Sequence, residues 1–461
     1  MPVIPSSFDA LLFLFADAFS APVFKTFRYL VLGFLCRVGE HSVCGMLQGA
    51  RLQRLWHHSR AHALFAYRKW CPDELGLVLL AFVVKMFIPR DQPIFLAVDD
   101  SLFSRSGKKV YGAAWQYDGS RPSGNGEGAK TGYGNNWVIM TVIVRLPIVG
   151  RAVSLAVLSR LWQPEPKPKG AKRTKRKPNP AYPSKPKLAR EMLDLIAARF
   201  PERKIKLVGD SAYATEAFSG LEERVMVTSR LKSNAALYAP KPPRTGKRGQ
   251  PAKKGKRLHK LAQIADDPET DWQETEVSGS RSRTVLTHSF EALFYGVWGS
   301  RPVRVVLVRE RGRKTGYQIA LVTMDMSARS AEIVEDYDCR WSIEVAIEDA
   351  KQLTGVGEAR NRVKDAVERT VPFGLICQSL VICWYALNGR AEHDVERHRS
   401  RSPWYVQKRF PSYQDMLSAF RRANIAAQYL AVTDRTPHME EELSSGQRSW
   451  FLSCRGLTGE R

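Results

Sequence analysis

The sequence predicts a mixed α/β fold, and three features carry that expectation. Apolar residues recur at helical spacing up to about residue 90, β-branched runs then follow, two of them ending on an acid, and helical spacing returns from Ser327. In chain order, Phe8 to Phe34 and Leu75 to Phe87 carry the first helical pattern. The period changes at Ile94 to Asp100, IFLAVDD, a short apolar run closed by two acids, and WVIMTVIVRL and AVSLAVLSRLW read as further strands. Between them GSRPSGNGEGAKTGYGNN is a glycine-rich loop. PEPKPKGAKRTKRKPNPAYPSKPK holds too much proline and lysine for an interior element and reads as a basic loop. A helix over Leu188 to Phe200 leads into KIKLVGDSAY, a second buried-strand pattern ending on an acid, and RVMVTSRL adds another strand. A second basic tract, APKPPRTGKRGQPAKKGKRLHK, precedes RTVLTHSFEALFYGVW, RPVRVVLVRER and YQIALVTMD, expected to form a self-contained β-rich insertion. From Ser327 a helix is expected through Thr354, stopped by Gly355, followed by a second apolar helix over about Val371 to Ala386. The remainder, from about 391 to 461, is basic and holds Trp404, Tyr405 and Trp450.

At 461 residues the chain has room for several domains, and 44% hydrophobic with 25% charged residues describes a globular protein rather than a disordered one. Its charge is the unusual property. Lys+Arg 71 against Asp+Glu 46 gives a net charge of +25, a field that attracts polyanions, nucleic acid first. The seven cysteines, Cys36, Cys44, Cys71, Cys339, Cys377, Cys383 and Cys454, lack C-x-x-C spacing and suit reduced thiols in a cytoplasmic protein. The trio Cys36, His41 and Cys44 matches no standard zinc spacing and is read as structural. The N-terminal apolar stretch carries Asp9 and Asp17 and no basic leading region, which argues against a signal peptide. LGLVLLAFVVKMFIP is interrupted by Lys85 and falls short of the roughly 20 apolar residues of a membrane span, so a buried helix and no membrane partner are expected.

The chemistry concentrates in two places. Near-continuous apolar strands fit a sheet covered on both faces, and ligands of such sheets gather at the carboxyl ends of the strands. Asp100 and Asp210 stand at such ends, although each also suits a turn or a helix cap. The second place is YDCRWSIEVAIEDAK. With Tyr337 at zero and about 100° per residue, Glu348 falls at about +20°, Glu344 at about −20°, Lys351 at about −40° and Arg340 at about −60°. One stripe thus gathers a tyrosine, two cations and two acids, and burying such charges unpaired costs several kcal/mol each. An exposed face with ordinary pairs such as Arg340 with Glu344 is the simpler account, but the apolar residues flank the stripe instead of opposing it. Trp341, at about +40°, is expected to anchor the helix against the core. Two aspartates and a glutamate supply the hard oxygen ligands that Mg²⁺ prefers, and a pair of such ions supports phosphodiester exchange.

The spacing Tyr337, two residues, Arg340, three residues, Glu344, six residues, Lys351 fits a Y-R-E-K signature, and on it the chain resembles the DDE-superfamily insertion-sequence transposases. VDDS resembles that family's first acid segment, GDSAYAT its second, VTSRLKSNAALY the strand entering its β-rich insertion, and CRVGEHSVCGML its N-terminal helical segment. The resemblance implies an RNase H-like catalytic domain in two parts, about 91–230 and 327–390. A β-rich insertion over 231–326 would interrupt it, with a helical DNA-binding domain over 1–90 and a basic region over 391–461. It further implies that Asp100, Asp210 and Glu344 hold two Mg²⁺ ions, with Mn²⁺ able to substitute, and that Tyr337, Arg340 and Lys351 contact transposon-end phosphates. The implied partner is double-stranded DNA, ends and target, with the protein a homodimer on paired ends in a prokaryotic cytoplasm.

Two choices stay close. Asp99 and Asp100 point to opposite faces of a strand, and Asp100 is preferred because Ser101 follows it; Glu348 is second to Glu344 by spacing. GNGEGAKTG lacks the G-K-[ST] triplet of a nucleotide-binding loop. Trp298 suits a core position better than base stacking. A nuclease of the same fold that does not join DNA, and a catalytically idle DNA-binding protein, are the alternatives.

Overall fold

A computed structural model describes residues 1–119, 130–166, 179–242, 252–278 and 282–433. Most of the glycine-rich loop, the centres of both basic tracts, Trp450 and Cys454 lie outside the described residues. The N-terminal section holds α1 (Ser6–Leu12), α2 (Ala21–Cys36), α3 (Val43–Gly49), α4 (His58–Ala66) and α5 (Pro72–Phe87). Ser42 caps α3 by accepting from the Gly45 N–H at 3.0 Å, and Pro72 with Asp73 and Glu74 suits the first turn of α5. Glycine lets α2 and α3 touch: a Cβ on Gly33 would lie 1.8 Å from the Met46 carbonyl oxygen.

Strands β1 (Ile94–Ser104), β2 (Ala114–Tyr117), β3 (Thr131–Leu146) and β4 (Arg151–Trp162) come next, then α6 (Lys185–Arg199), β5 (Ile205–Gly209) and β6 (Val225–Arg230). The chain continues through α7 (Leu261–Asp266), β7 (Gln273–Val277), β8 (Arg283–Leu293), α8 (Tyr295–Trp298), β9 (Pro302–Glu310) and β10 (Ile319–Thr323). It closes with α9 (Ser330–Cys339), α10 (Trp341–Gln352), α11 (Lys364–Asn388), α12 (Ala391–Arg401) and α13 (Tyr413–Thr433).

All ten strands form one mixed sheet in the order β2-β3-β1-β5-β6-β10-β9-β8-β7, with β4 also on β3. β1, β5 and β6 run parallel and the other pairings are antiparallel. The β-rich segment is therefore not the separate unit expected from sequence. β10 completes the open edge of β6, buries Leu321 and Val322, and joins its Thr323 hydroxyl to that of Thr228 at 2.8 Å. The helix expected over Ser327 to Thr354 is likewise two helices that abut at Arg340, where the Arg340 N–H bonds the Tyr337 carbonyl and the Ile343 N–H bonds that of Arg340. Those three-residue turns tighten the backbone without reversing its direction.

The core lies between the sheet and α11, whose Phe373 meets Phe27, Phe34 and Phe65 of the N-terminal helices edge to face. Among the described residues α11 is the helix long and apolar enough to cross a membrane, and most of that stretch is buried inside the fold.

Candidate active site

The parallel pairing of β1 with β5 brings two acid segments side by side. Its last partners are Val98 and Gly209, so Asp99 and Asp210 follow at neighbouring positions, on strands about 4.8 Å apart. Asp100 faces the other way. Its carboxylate accepts from Lys185 Nζ at 2.5 Å, at the start of α6, and the same ammonium lies 5.0 Å from the Trp162 ring. Asp99 shares its face with Ser101, two residues on, and that face carries α10. Asp210 turns back on its own loop, where one carboxylate oxygen accepts from the Ala212 N–H at 2.9 Å.

Arg340 is the hub. Its guanidinium lies 2.6 Å from a Glu344 oxygen and 3.6 Å from an Asp99 oxygen, and sits 5.4 Å from the Tyr337 ring. Burial opposes its charge, but Tyr337, Glu344 and Asp99 outweigh that and raise its pKa above the ordinary value. Asp99 fares differently: desolvation pushes its carboxyl up to about 7, against the Asp100 N–H and Arg340, which favour the ion, and with Asp100 and Asp210 adding to the rise. Tyr337 is held above the usual phenol range by burial, with Arg340 opposing and Asp210 contributing. Lys351 reaches β1, donating to the Ser101 hydroxyl at 2.6 Å and the Leu102 carbonyl at 2.8 Å, and burial lowers its pKa. Glu348 instead turns outward and accepts from Gln352 at 3.0 Å. The buried face of α10 is Ile343, Ile347 and Ala350. Trp341, expected as an anchor, is 62% exposed, because that face lies on the other side of the charged stripe.

The residues that brace this arrangement were not legible from sequence. Arg105, just beyond β1, donates to the carbonyls of Gly357 and Ala359, which follow α10, and to the Asn135 side chain at 2.8 Å. Gly355, at φ +70°, lies so close to His41 that a Cβ would stand 2.2 Å from Nδ1. Glu358 accepts from the His41 backbone N–H at 2.6 Å, and Arg360 pairs with Glu40 at 2.7 Å. On β5, Lys206 joins Asp325 and Asp336 at 3.2 and 3.1 Å. The only sequence signal for Lys185 is Ser184 before it, which caps α6. Trp298 is buried and donates to the Thr215 carbonyl at 3.1 Å. Cys36, His41 and Cys44 have separate partners, Asn424, Glu358 and His62.

Among the described residues no three His, Cys, Asp or Glu side chains stand close enough together to hold a metal ion. The donor chemistry nonetheless suits a divalent cation. Asp99 and Glu344 already share one positive group, Arg340, and the Asp99 carboxyl titrates high because burial desolvates it, with Asp100 and Asp210 adding to the rise. Tyr213 Oη and Arg340 Nε are buried and find no partner among the described residues. Burial, then the fields of Asp100, Asp99 and Asp210, raise the Tyr213 pKa well above the ordinary value, so polar capacity remains unused beside the acids.

A family model described as DDE superfamily endonuclease matches residues 15–288, which span α2 to α5 and both aspartate segments and end before Tyr337. No curated protein matches the chain.

Proposed function

The chain belongs to the DDE superfamily of endonucleases, and from that premise we propose that it is a DNA transposase of an insertion sequence. It would cut at the ends of its element and join the freed 3′-hydroxyls to target DNA, as a homodimer on paired ends in a prokaryotic cytoplasm. The observation that carries the reading is that Asp99 on β1 neighbours Asp210 at the end of β5 and shares the Arg340 guanidinium with Glu344. We take Asp99 as the first acid in preference to Asp100, whose carboxylate is engaged by Lys185 on the opposite face. When bound, two divalent ions, Mg²⁺ or Mn²⁺, would supply Lewis acidity to the phosphodiester chemistry.

The three carboxylates are the residues that would hold the ions. Tyr337, Arg340 and Lys351 are the proposed contacts to end phosphates: Lys351 spends two of its three N–H donors on β1, and a guanidinium suits phosphate bidentately. In the first step a water oxygen bonds to phosphorus and the bridging O3′ leaves with a proton, giving a 3′-hydroxyl and a 5′-phosphate. In the second, that 3′-hydroxyl attacks a target phosphodiester and displaces another O3′. No bond to the protein forms.

The test is a cleavage and joining assay on DNA carrying the element's own ends, with labelled 3′ termini, in Mg²⁺ and in chelator. Nicking that survives Asp210→Asn and Glu344→Gln contradicts the reading. Nicking without joined product replaces the transposase with a nuclease of the same superfamily.

A further inference from the structure

Beyond the acids, on the same face of the sheet, lies a group of rings that the core does not use. Trp115 and Tyr117 of β2 are 71% and 68% exposed, while Gln116 between them is buried, so both rings project from one face. Trp115 pairs across the strands with Tyr133 of β3, and their ring centroids are 5.8 Å apart. Tyr133 also belongs to the face of Asp99: Asp99 pairs with Ile139, and every second residue back along β3, Trp137, Asn135, Tyr133, points the same way. Six residue steps along β3 carry the chain from Ile139 to Tyr133, about 20 Å at about 3.3 Å per residue.

Cations frame the rings. Lys108 and Lys109 are exposed in the turn after β1, directly above Tyr133, whose hydroxyl lies 3.4 Å from the Gly107 and Lys108 carbonyls. Exposed Lys364, at the start of α11, lies 5.8 Å from the Tyr111 ring in the same turn. Planar faces interleaved with ammonium groups match a nucleic-acid strand with unstacked bases, since bases stack on aromatic rings while lysines neutralise phosphates. A duplex offers no base faces along its length, and a protein partner would call for an apolar centre with few charges, whereas this patch is ringed by lysines.

We propose that Trp115, Tyr117 and Tyr133 form a stacking surface for unpaired bases of the DNA strand running from the acids, about 20 Å from the cut. The surface holds single-stranded DNA beside the cleavage point and makes no contact with the reacting phosphate. It rests on the reading of this chain as a DNA-cleaving enzyme.

Fluorescence anisotropy of the full chain in chelator tests it, with a blunt duplex, and the same duplex carrying a single-stranded oligo(dT) arm. The arm is expected to strengthen binding by wild type. Trp115→Ala and Tyr117→Ala should each weaken binding of the armed DNA about tenfold, while Trp115→Phe keeps it. Binding of the blunt duplex should stay within twofold for every variant. Equal losses on both DNAs, or no loss on the armed one, overturns the inference. Failure of wild type to bind either DNA overturns the DNA reading itself, whereas tight duplex binding with no gain from the arm overturns only the stacking surface.

Discussion

Replacing Asp99 by Asn should make the metal-free protein more stable while destroying its activity. The Asp99 carboxyl holds its proton up to about pH 7 in the folded chain, against 3.8 ordinarily, with desolvation the main cause. Between those values the folded state binds more protons than the unfolded one. The group's favourable contribution is therefore complete below about pH 4 and is lost as pH rises through 7. A rise of about three pH units at about 1.4 kcal/mol each makes the ionised carboxylate a burden of about 4 kcal/mol at pH 8. Asparagine keeps the shape and removes the charge. Urea denaturation of wild type and Asp99→Asn in chelator, from pH 4 to pH 8, should give curves that coincide near pH 4 and separate by up to about 4 kcal/mol at pH 8, the variant above. The same variant should nick DNA at least about a thousandfold more slowly, since a metal-binding acid supplies several kcal/mol of transition-state stabilisation. A difference that does not change with pH, or a pH-dependent gain from Asp100→Asn instead, refutes the placement of Asp99 as the buried, undercompensated acid.

Asp100→Asn should leave nicking within about tenfold of wild type and cost about 1 kcal/mol of stability, since its pair with Lys185 is about a quarter exposed; denaturation and the nicking assay read both. Arg340→Ala strips the shared cation from Asp99 and Glu344 and should cost about 2 kcal/mol in chelator, less than for a fully buried pair because Glu344 is a third exposed. That loss should shrink when Asp99→Asn is already present, a coupling that a double-mutant cycle measures. Gly355→Ala meets a positive φ and the His41 ring at once and should destabilise by about 2–3 kcal/mol, visible as a lower denaturation midpoint.

Much of the site could be read from residues alone, and its limits have physical causes. Strand alternation says that Asp99 and Asp100 diverge, but which one meets Asp210 depends on the register of β1 against β5, a pairing between segments more than a hundred residues apart. Helical spacing gathered Tyr337, Arg340, Glu344 and Lys351 on one stripe, and the contacts among Tyr337, Arg340 and Glu344 reflect it. Spacing could not say that Trp341 would lie outside the packed side, because the position of the neighbouring α11 decides that. The continuity of the sheet is invisible in the sequence for a similar reason. β6 and β10 are each unremarkable apolar runs, and their mutual fit appears only when the long excursion between them closes. The bracing roles of Arg105 and His41 carry no local pattern, and the only signal at His41 is its place between Cys36 and Cys44; the carbonyls and carboxylate they hold come from a loop more than 200 residues away.

The grip of residues 40 and 41 on the loop beyond α10 bears on how far the chain can be cut down. Glu40 and His41 hold Arg360 and Glu358, and Arg105 fastens that same loop to the end of the acid-bearing strand, so helices from the first ninety residues are stitched to the candidate site. Phe373 would also lose its three aromatic neighbours. A shortened chain beginning at β1 would start life with an unclad greasy face and a slack tether.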